Sequence, residues 1–209
     1  MTRELLKTGI AALGFIPAGE QIEAFGYYLA ELKKWNRAYN LTGITKDEDI
    51  IIKHFIDSLL YLKALPAGIL TVADIGSGAG FPGIPMKIIR PDLSIFLIEP
   101  SGKKTAFLRH IIRSLRLEEI GVIEKRIEDV TVTQDLSAPV DAAVTRALFD
   151  IRKFIGKASH IVRSEGFLIL SKGPRVQEEL GKLKDRNYEI LPITLPLADI
   201  QRYLVIVRR

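Results

Sequence analysis

Three glycines on alternate positions, Gly76, Gly78 and Gly80, follow an apolar run that ends in Asp74-Ile75. Glycine takes up positive φ without steric cost and lets a ligand approach the backbone closely. A tight turn that binds nothing is the plain alternative, but alternating glycines directly after a strand-like run favour a small-molecule cradle. Two ligand chemistries compete for it. Gly78-x-Gly80-x-x-Gly83 fits the dinucleotide pattern, and Glu99 stands about 20 residues on, where that pattern wants an acid. Yet Gly76, not Gly78, is the first residue after the run, and a carboxylate at Asp74 repels a pyrophosphate. The same carboxylate suits a cation, and S-adenosylmethionine carries both an ammonium and a sulfonium. Asp74, Gly76 and Gly78 therefore point to a methyl donor and a methyltransferase. A nicotinamide-dependent oxidoreductase is one competing reading, and a module that holds S-adenosylmethionine without transferring its methyl is another.

Further along, Glu99 ends the next apolar run, where a carboxylate can accept from both ribose hydroxyls. Arg126-Ile127-Glu128-Asp129 follows the third run, where a backbone amide and an acid can read an adenine edge. Arg146 and Lys172, after the fourth run and at the end of the fifth, are candidates for positioning a substrate. Between Gly102 and Arg116 stand Lys103, Lys104, Arg109, Arg113 and Arg116 with no acid among them. The bland reading is the solvated face of an amphipathic helix; the alternative is contact with nucleic-acid phosphates. No metal site is expected, since cysteine is absent and His54, His110 and His160 are scattered. His54 and Asp57, at helical spacing, read as a structural hydrogen bond or ion pair with the rest of the molecule, not as an acid–base couple.

The elements that must position these residues come in two rhythms. Up to residue 65, Ile22, Phe25, Leu29, Leu32 and Trp35 mark one helical face. A second helix is predicted from Asp47 to about Leu62, with acids at its start to suit the helix dipole. Beyond Pro66 and Gly68, apolar runs at Ile69–Ile75, Leu93–Ile98, Gly121–Ile123, Ala142–Thr145 and Phe167–Leu170 alternate with amphipathic stretches, which argues for a mostly parallel α/β sheet. Tyr188–Leu195 and Tyr203–Val207 read as an antiparallel pair closing one edge. The division is thus a helical extension over 1–65 and a Rossmann-like domain over 66–209.

Composition agrees with an ordinary globular chain: 47% of residues are apolar and 26% charged, enough for one sizeable core. The net charge of +5 lies entirely beyond residue 65, which favours a polyanionic partner modestly. The absence of cysteine suits a reducing cytoplasm, and neither a signal peptide nor a membrane span is expected. No feature sets an oligomeric state, and a monomer is the expectation.

The segments Trp35–Thr42 (WNRAYNLT), His54–Leu59 (HFIDSL), Asp74–Pro85 (DIGSGAGFPGIP), Gly102-Lys103-Lys104, Thr145-Arg146-Ala147 and Ser171-Lys172-Gly173 occur in this order. In them the chain resembles the bacterial small-subunit rRNA guanine-N7 methyltransferases, also called the glucose-inhibited division protein B family. The resemblance spans roughly residues 30–175, and Phe81-Pro82-Gly83-Ile84-Pro85 is its most specific part. It implies a class I methyltransferase fold with a helical N-terminal extension and S-adenosylmethionine as cofactor. The implied substrate is a guanine in the decoding-region loop of 16S rRNA, within the RNA or the small subunit. It also implies cofactor contacts at Gly76, Phe81, Ile127, Glu128 and Arg146. Glu99-Pro100 departs from the family's usual Asp-Ser, and Phe149 shifts an aromatic that commonly follows Arg-Ala. Guanine N7 offers a lone pair and loses no proton, so no general base is expected and positioning carries the catalysis.

Overall fold

Side chains alternate along the central strands between two apolar layers. Val72, Val144, Ile169 and Leu204 face one layer; Ala73, Ala143, Leu168 and Val205 face the other. A strand buried on both sides requires this twofold repeat. The computed structural model describes residues 2–146, 149–181 and 187–209. Its sheet comprises β1 (Thr71–Ile75), β2 (Ser94–Ile98), β3 (Ile120–Ile123), β4 (Val140–Arg146), β5 (Val162–Lys172), β6 (Tyr188–Thr194) and β7 (Gln201–Arg208), in the order β3-β2-β1-β4-β5-β7-β6. The first five strands are parallel. β7 runs antiparallel to both β5 and β6, which is the edge pair expected from the sequence.

The strand order dictates where a ligand can sit. The chain works outward from β1 to β3 and then returns to β4 on the other flank of β1. A crevice therefore opens beyond the carboxyl ends of β1 and β4, the switch point at which open α/β sheets hold ligands. The glycine loop leaves the end of β1 and Arg146 ends β4, so the two flank that crevice.

Among the described residues, six helices lie on one side: α1 (Thr2–Ala12), α2 (Gly19–Tyr39), α3 (Asp47–Ile50), α4 (Asp57–Ala64), α5 (Gly83–Ile89) and α6 (Gly102–Ser114). Leu6, Phe25 and Phe55 of the N-terminal segment join Val72 and Leu97 of the sheet in one continuous apolar cluster. α7 (Ile151–Ala158) and α8 (Val176–Leu180) cover the other face. The face expected on α2 is the buried one, and Trp35 stacks on His110 of α6 with centroids 5.2 Å apart. No helix among the described residues is long and apolar enough to cross a membrane.

One element differs from its sequence pattern. The single α-helix predicted from Asp47 to about Leu62 is instead α3 and α4 joined by a π-helical turn, Ile51–Ile56. Ile50, Ile51, Phe55, Ile56, Leu59 and Leu60 are all buried, so this stretch is packed on nearly every side and no single face governs its winding. A π turn inside an α-helix often marks a functional position. Here it carries the Lys53 carbonyl and His54, with Asp57 just beyond it, to the end of β4.

Candidate active site

The glycine loop is held from three directions. Gly76, Gly78 and Gly80 have φ of 70°, 59° and 102°, where a side chain would be strained. The Gly76 and Ser77 amides both donate to the Ile98 carbonyl at the end of β2 (2.8 and 3.3 Å). From below, the Tyr28 hydroxyl of α2 donates to the Ala79 carbonyl. A Cβ on Gly80 would lie 2.6 Å from both Tyr28 Oη and Ile84 Cδ1, so the loop descends onto α2 and α5 only because that residue is glycine.

Asp74 sits beneath this loop with no solvent exposure. Its Oδ2 accepts the Gly83 amide at 2.8 Å, while its Oδ1 and the Ser77 hydroxyl find no partner among the described residues. Burial pushes the Asp74 carboxyl up to about 7; the Gly83 amide and the Arg146 charge act against that rise, and Glu99 adds to it. A buried acceptor without a donor is costly. A ligand bringing an N–H donor with positive charge would relieve it, so this acceptor fits the ammonium of S-adenosylmethionine and opposes a pyrophosphate.

Glu99 is also buried. Its Oε2 accepts the Gly78 amide at 2.9 Å and its Oε1 the Ser101 amide at 3.0 Å, lacing β2 to the glycine loop. Each oxygen keeps a second lone pair for a hydroxyl donor. After β3, Ile127 is buried in a short 3₁₀ turn, Ile127–Asp129, and the exposed Glu128 is ion-paired to Lys157 of α7. Asp74, Gly76, Gly78, Glu99, Ile127 and Glu128 thus lie at or just beyond the carboxyl ends of β1, β2 and β3. Phe81 follows the glycine loop into the aromatic interior. Its ring is buried between His54 (centroids 4.5 Å apart, 17° between planes) and Tyr28 (5.5 Å), in an aromatic layer under the crevice.

Arg146 is caged. Its guanidinium donates to the Lys53 carbonyl at 2.9 Å, bonds His54 Nδ1 at 3.0 Å, lies 3.5 Å from Asp57 Oδ2 and covers the Phe81 ring at 5.1 Å. Asp57 accepts Arg202 of β7 through its other oxygen at 2.7 Å. Burial, helped by the Arg146 charge, depresses His54 to about 3, so the ring is neutral. His54 and Asp57 therefore serve contacts with the strand region, the structural reading of their spacing. Arg146, Arg202, Lys53 and Lys172 line a cavity of about 410 Å³ in which Asp57 is the one acid among the described lining residues. Lys172 is already engaged, with the Phe149 carbonyl at 2.7 Å and Glu179 at 2.9 Å. Ala147, which completes the Thr145-Arg146 motif, and Leu148 lie outside the described residues.

The five basic residues expected to meet RNA do not share one place. Lys103 and Lys104 open α6 next to Glu99, whereas Arg113 and Arg116 lie at its far end. Arg109 is paired with Glu124 at 2.9 Å. Tyr28, Lys53 and Arg202 were not singled out by sequence reasoning. Local spacing holds no signal for them, since Tyr28 meets Ala79 across 51 residues and Arg202 meets Asp57 across 145.

The family model described as "rRNA small subunit methyltransferase G" matches residues 21–193. A protein of that name from Geobacter sp. (strain M21) is 39% identical, the match covering 99% of this chain and 97% of that protein. Its namesake from Methylobacillus flagellatus is 36% identical over 97% of this chain and 96% of that protein. Among solved structures, precorrin-6y C5,15-methyltransferase from Geobacter metallireducens superposes with a TM-score of 0.53 at 16% identity, over 82% of this chain and 92% of that one. TYW2 of M. jannaschii, solved in complex with AdoMet, gives a TM-score of 0.53 at 16% identity over 74% of each chain. These two likenesses concern the fold, which is that of class I methyltransferases.

Proposed function

The chain belongs to the rRNA small subunit methyltransferase G family, and from that premise we propose that it methylates N7 of a guanine in the decoding-region loop of 16S rRNA. The observation that carries the reading is the buried Asp74 carboxylate, with one unpartnered oxygen, beneath a glycine loop at the switch point of the sheet. S-adenosylmethionine, when bound, supplies an electrophilic methyl on sulfur. Asp74 and the loop at Gly76 and Gly78 would hold its amino acid end, Glu99 its ribose, and the turn at Ile127 and Glu128 its adenine. Phe81 would act from below by supporting the loop.

For the substrate, Arg146 has the direct role. A guanidinium is a donor only, so it would meet guanine O6 or an adjacent phosphate and leave the N7 lone pair free. Lys172 donates to the Phe149 carbonyl. The cationic lining of the cavity suits an RNA backbone, and the carboxylates at Asp74 and Glu99 would repel the pyrophosphate of a dinucleotide. The small ribosomal subunit is the expected partner and the cytoplasm the expected compartment.

The test is methyl transfer from labelled cofactor to small subunits that lack the modification, with the labelled base mapped. Label on a decoding-loop guanine is expected; label elsewhere, or none, overturns the reading. Arg146→Ala should lower turnover by about tenfold or more, the scale of losing a charged hydrogen bond, while the chain stays folded.

A further inference from the structure

We propose that His54 is a positioning residue for Arg146, with Thr42 accepting the proton on its far ring nitrogen. The inference rests on the substrate-side role of Arg146 given above and names what aims that side chain.

The hydrogen-bond chemistry leaves one arrangement. Arginine has five N–H donors and no acceptor. Its approach to His54 Nδ1 at 3.0 Å therefore requires the Nδ1 lone pair, which puts the ring proton on Nε2. Nε2 lies 2.7 Å from Thr42 Oγ1, which accepts that proton. Thr42 is itself pinned: its amide donates to Asn36 Oδ1 at 2.8 Å and its carbonyl accepts Asn36 Nδ2 at 2.9 Å. A continuous path runs from Asn36 on α2, through Thr42 and the π turn, to the guanidinium at the end of β4.

The ring plane is fixed as well. His54 and Arg146 rest on the same Phe81 ring, the imidazole nearly parallel to it and the guanidinium 5.1 Å from its centre. The Nδ1 lone pair lies in that plane, and the Thr42 contact at Nε2 sets its direction within the plane. His54 is buried and faces a cation, so a protonated ring would set one donor against another. With Nδ1 engaged by a donor and Nε2 carrying a proton, the ring has no lone pair to offer a substrate and is not a base. Loss of the Nδ1 acceptor leaves Arg146 with the Lys53 carbonyl and an Asp57 oxygen 3.5 Å away, contacts that permit it to pivot. Outer partners of this kind commonly set the orientation of a functional group.

Two substitutions separate this role from packing. His54→Asn puts an acceptor near the Nδ1 position but does not reach Thr42; His54→Gln reaches Thr42 and leaves Arg146 without the acceptor. Both remove the stacked ring, so a purely structural residue would suffer alike in each. Steady-state methyl transfer to unmodified small subunits is the readout, with melting temperature and S-adenosylhomocysteine affinity measured beside it. His54→Gln should lower kcat/KM for the subunit by about tenfold or more, while His54→Asn recovers activity to within about threefold of the parent. Thr42→Val should lose activity and Thr42→Ser retain it. In an Arg146→Ala background, His54→Gln should cost nothing further, since the two share one interaction. Equal losses for Asn and Gln, losses that track melting temperature, or additive losses with Arg146→Ala would overturn the proposal. Failure of the parent protein to methylate the subunit would instead strike the functional reading.

Discussion

Asp74 keeps its proton in the folded chain to about pH 7, whereas an unfolded carboxyl releases it near 3.8. The folded state therefore binds more protons between these values, and the stability contributed by this group declines as pH rises from about 4 to 7. A cationic ligand reverses the preference, because it favours the carboxylate. Affinity for S-adenosylhomocysteine, whose ammonium would meet Asp74, should rise as pH climbs from 6 to 8, approaching tenfold per unit at the lower end. Titration calorimetry in buffers of different ionisation enthalpy should register proton release below pH 7, and Asp74→Asn should flatten the profile. A pH-independent affinity in the parent would remove Asp74 from the cation's site. The glycines and Asp74 were readable from the sequence because their relation spans seven positions on one strand and turn. The unpartnered Ser77 hydroxyl and the Tyr28 contact were not, because both depend on what α2 and α5 press against the loop.

Among the elements, α4 carries a tyrosine that joins two strands. The buried Tyr61 hydroxyl donates to the Thr145 carbonyl of β4 at 2.5 Å and accepts the Ser171 amide of β5 at 3.1 Å. Burial, with Asp57 nearby, raises its pKa, so it is a neutral donor throughout the working range. Tyr61→Phe leaves a carbonyl and an amide unsatisfied beside Arg146 and should cost about 1–3 kcal/mol. Denaturant melts should show a lower midpoint with an unchanged slope, and an unchanged midpoint would exclude the bridge. Strand and helix alternation was legible because each parallel strand is an apolar run and each crossover an amphipathic one. The π turn was not, because apolar spacing reports which sides are buried and not how the backbone winds when all of them are.

At the scale of the molecule, the charge map divides α6. Lys103 stands at the crevice end and Arg113 about 15 Å of helix rise away, at the opposite end of the sheet. Substrate RNA meeting the crevice should therefore sense Lys103 and Lys104 but not Arg113 or Arg116. Plots of log affinity against log salt should lose slope by roughly 0.7–0.9 for each of Lys103→Ala and Lys104→Ala. Arg113→Ala should leave the slope as it was, and an equal loss there would restore a single basic face along the helix. By itself, the sequence determined the strand–loop cradle, the acid at its base and the alternating α/β rhythm, since each is written in neighbouring residues. The tertiary structure alone decided that β4 returns beside β1, that Arg146 rests on His54 and Phe81, and that Arg202 reaches Asp57. Those contacts join residues up to 145 positions apart, and their geometry exists only once the apolar faces have packed and set the register between distant segments.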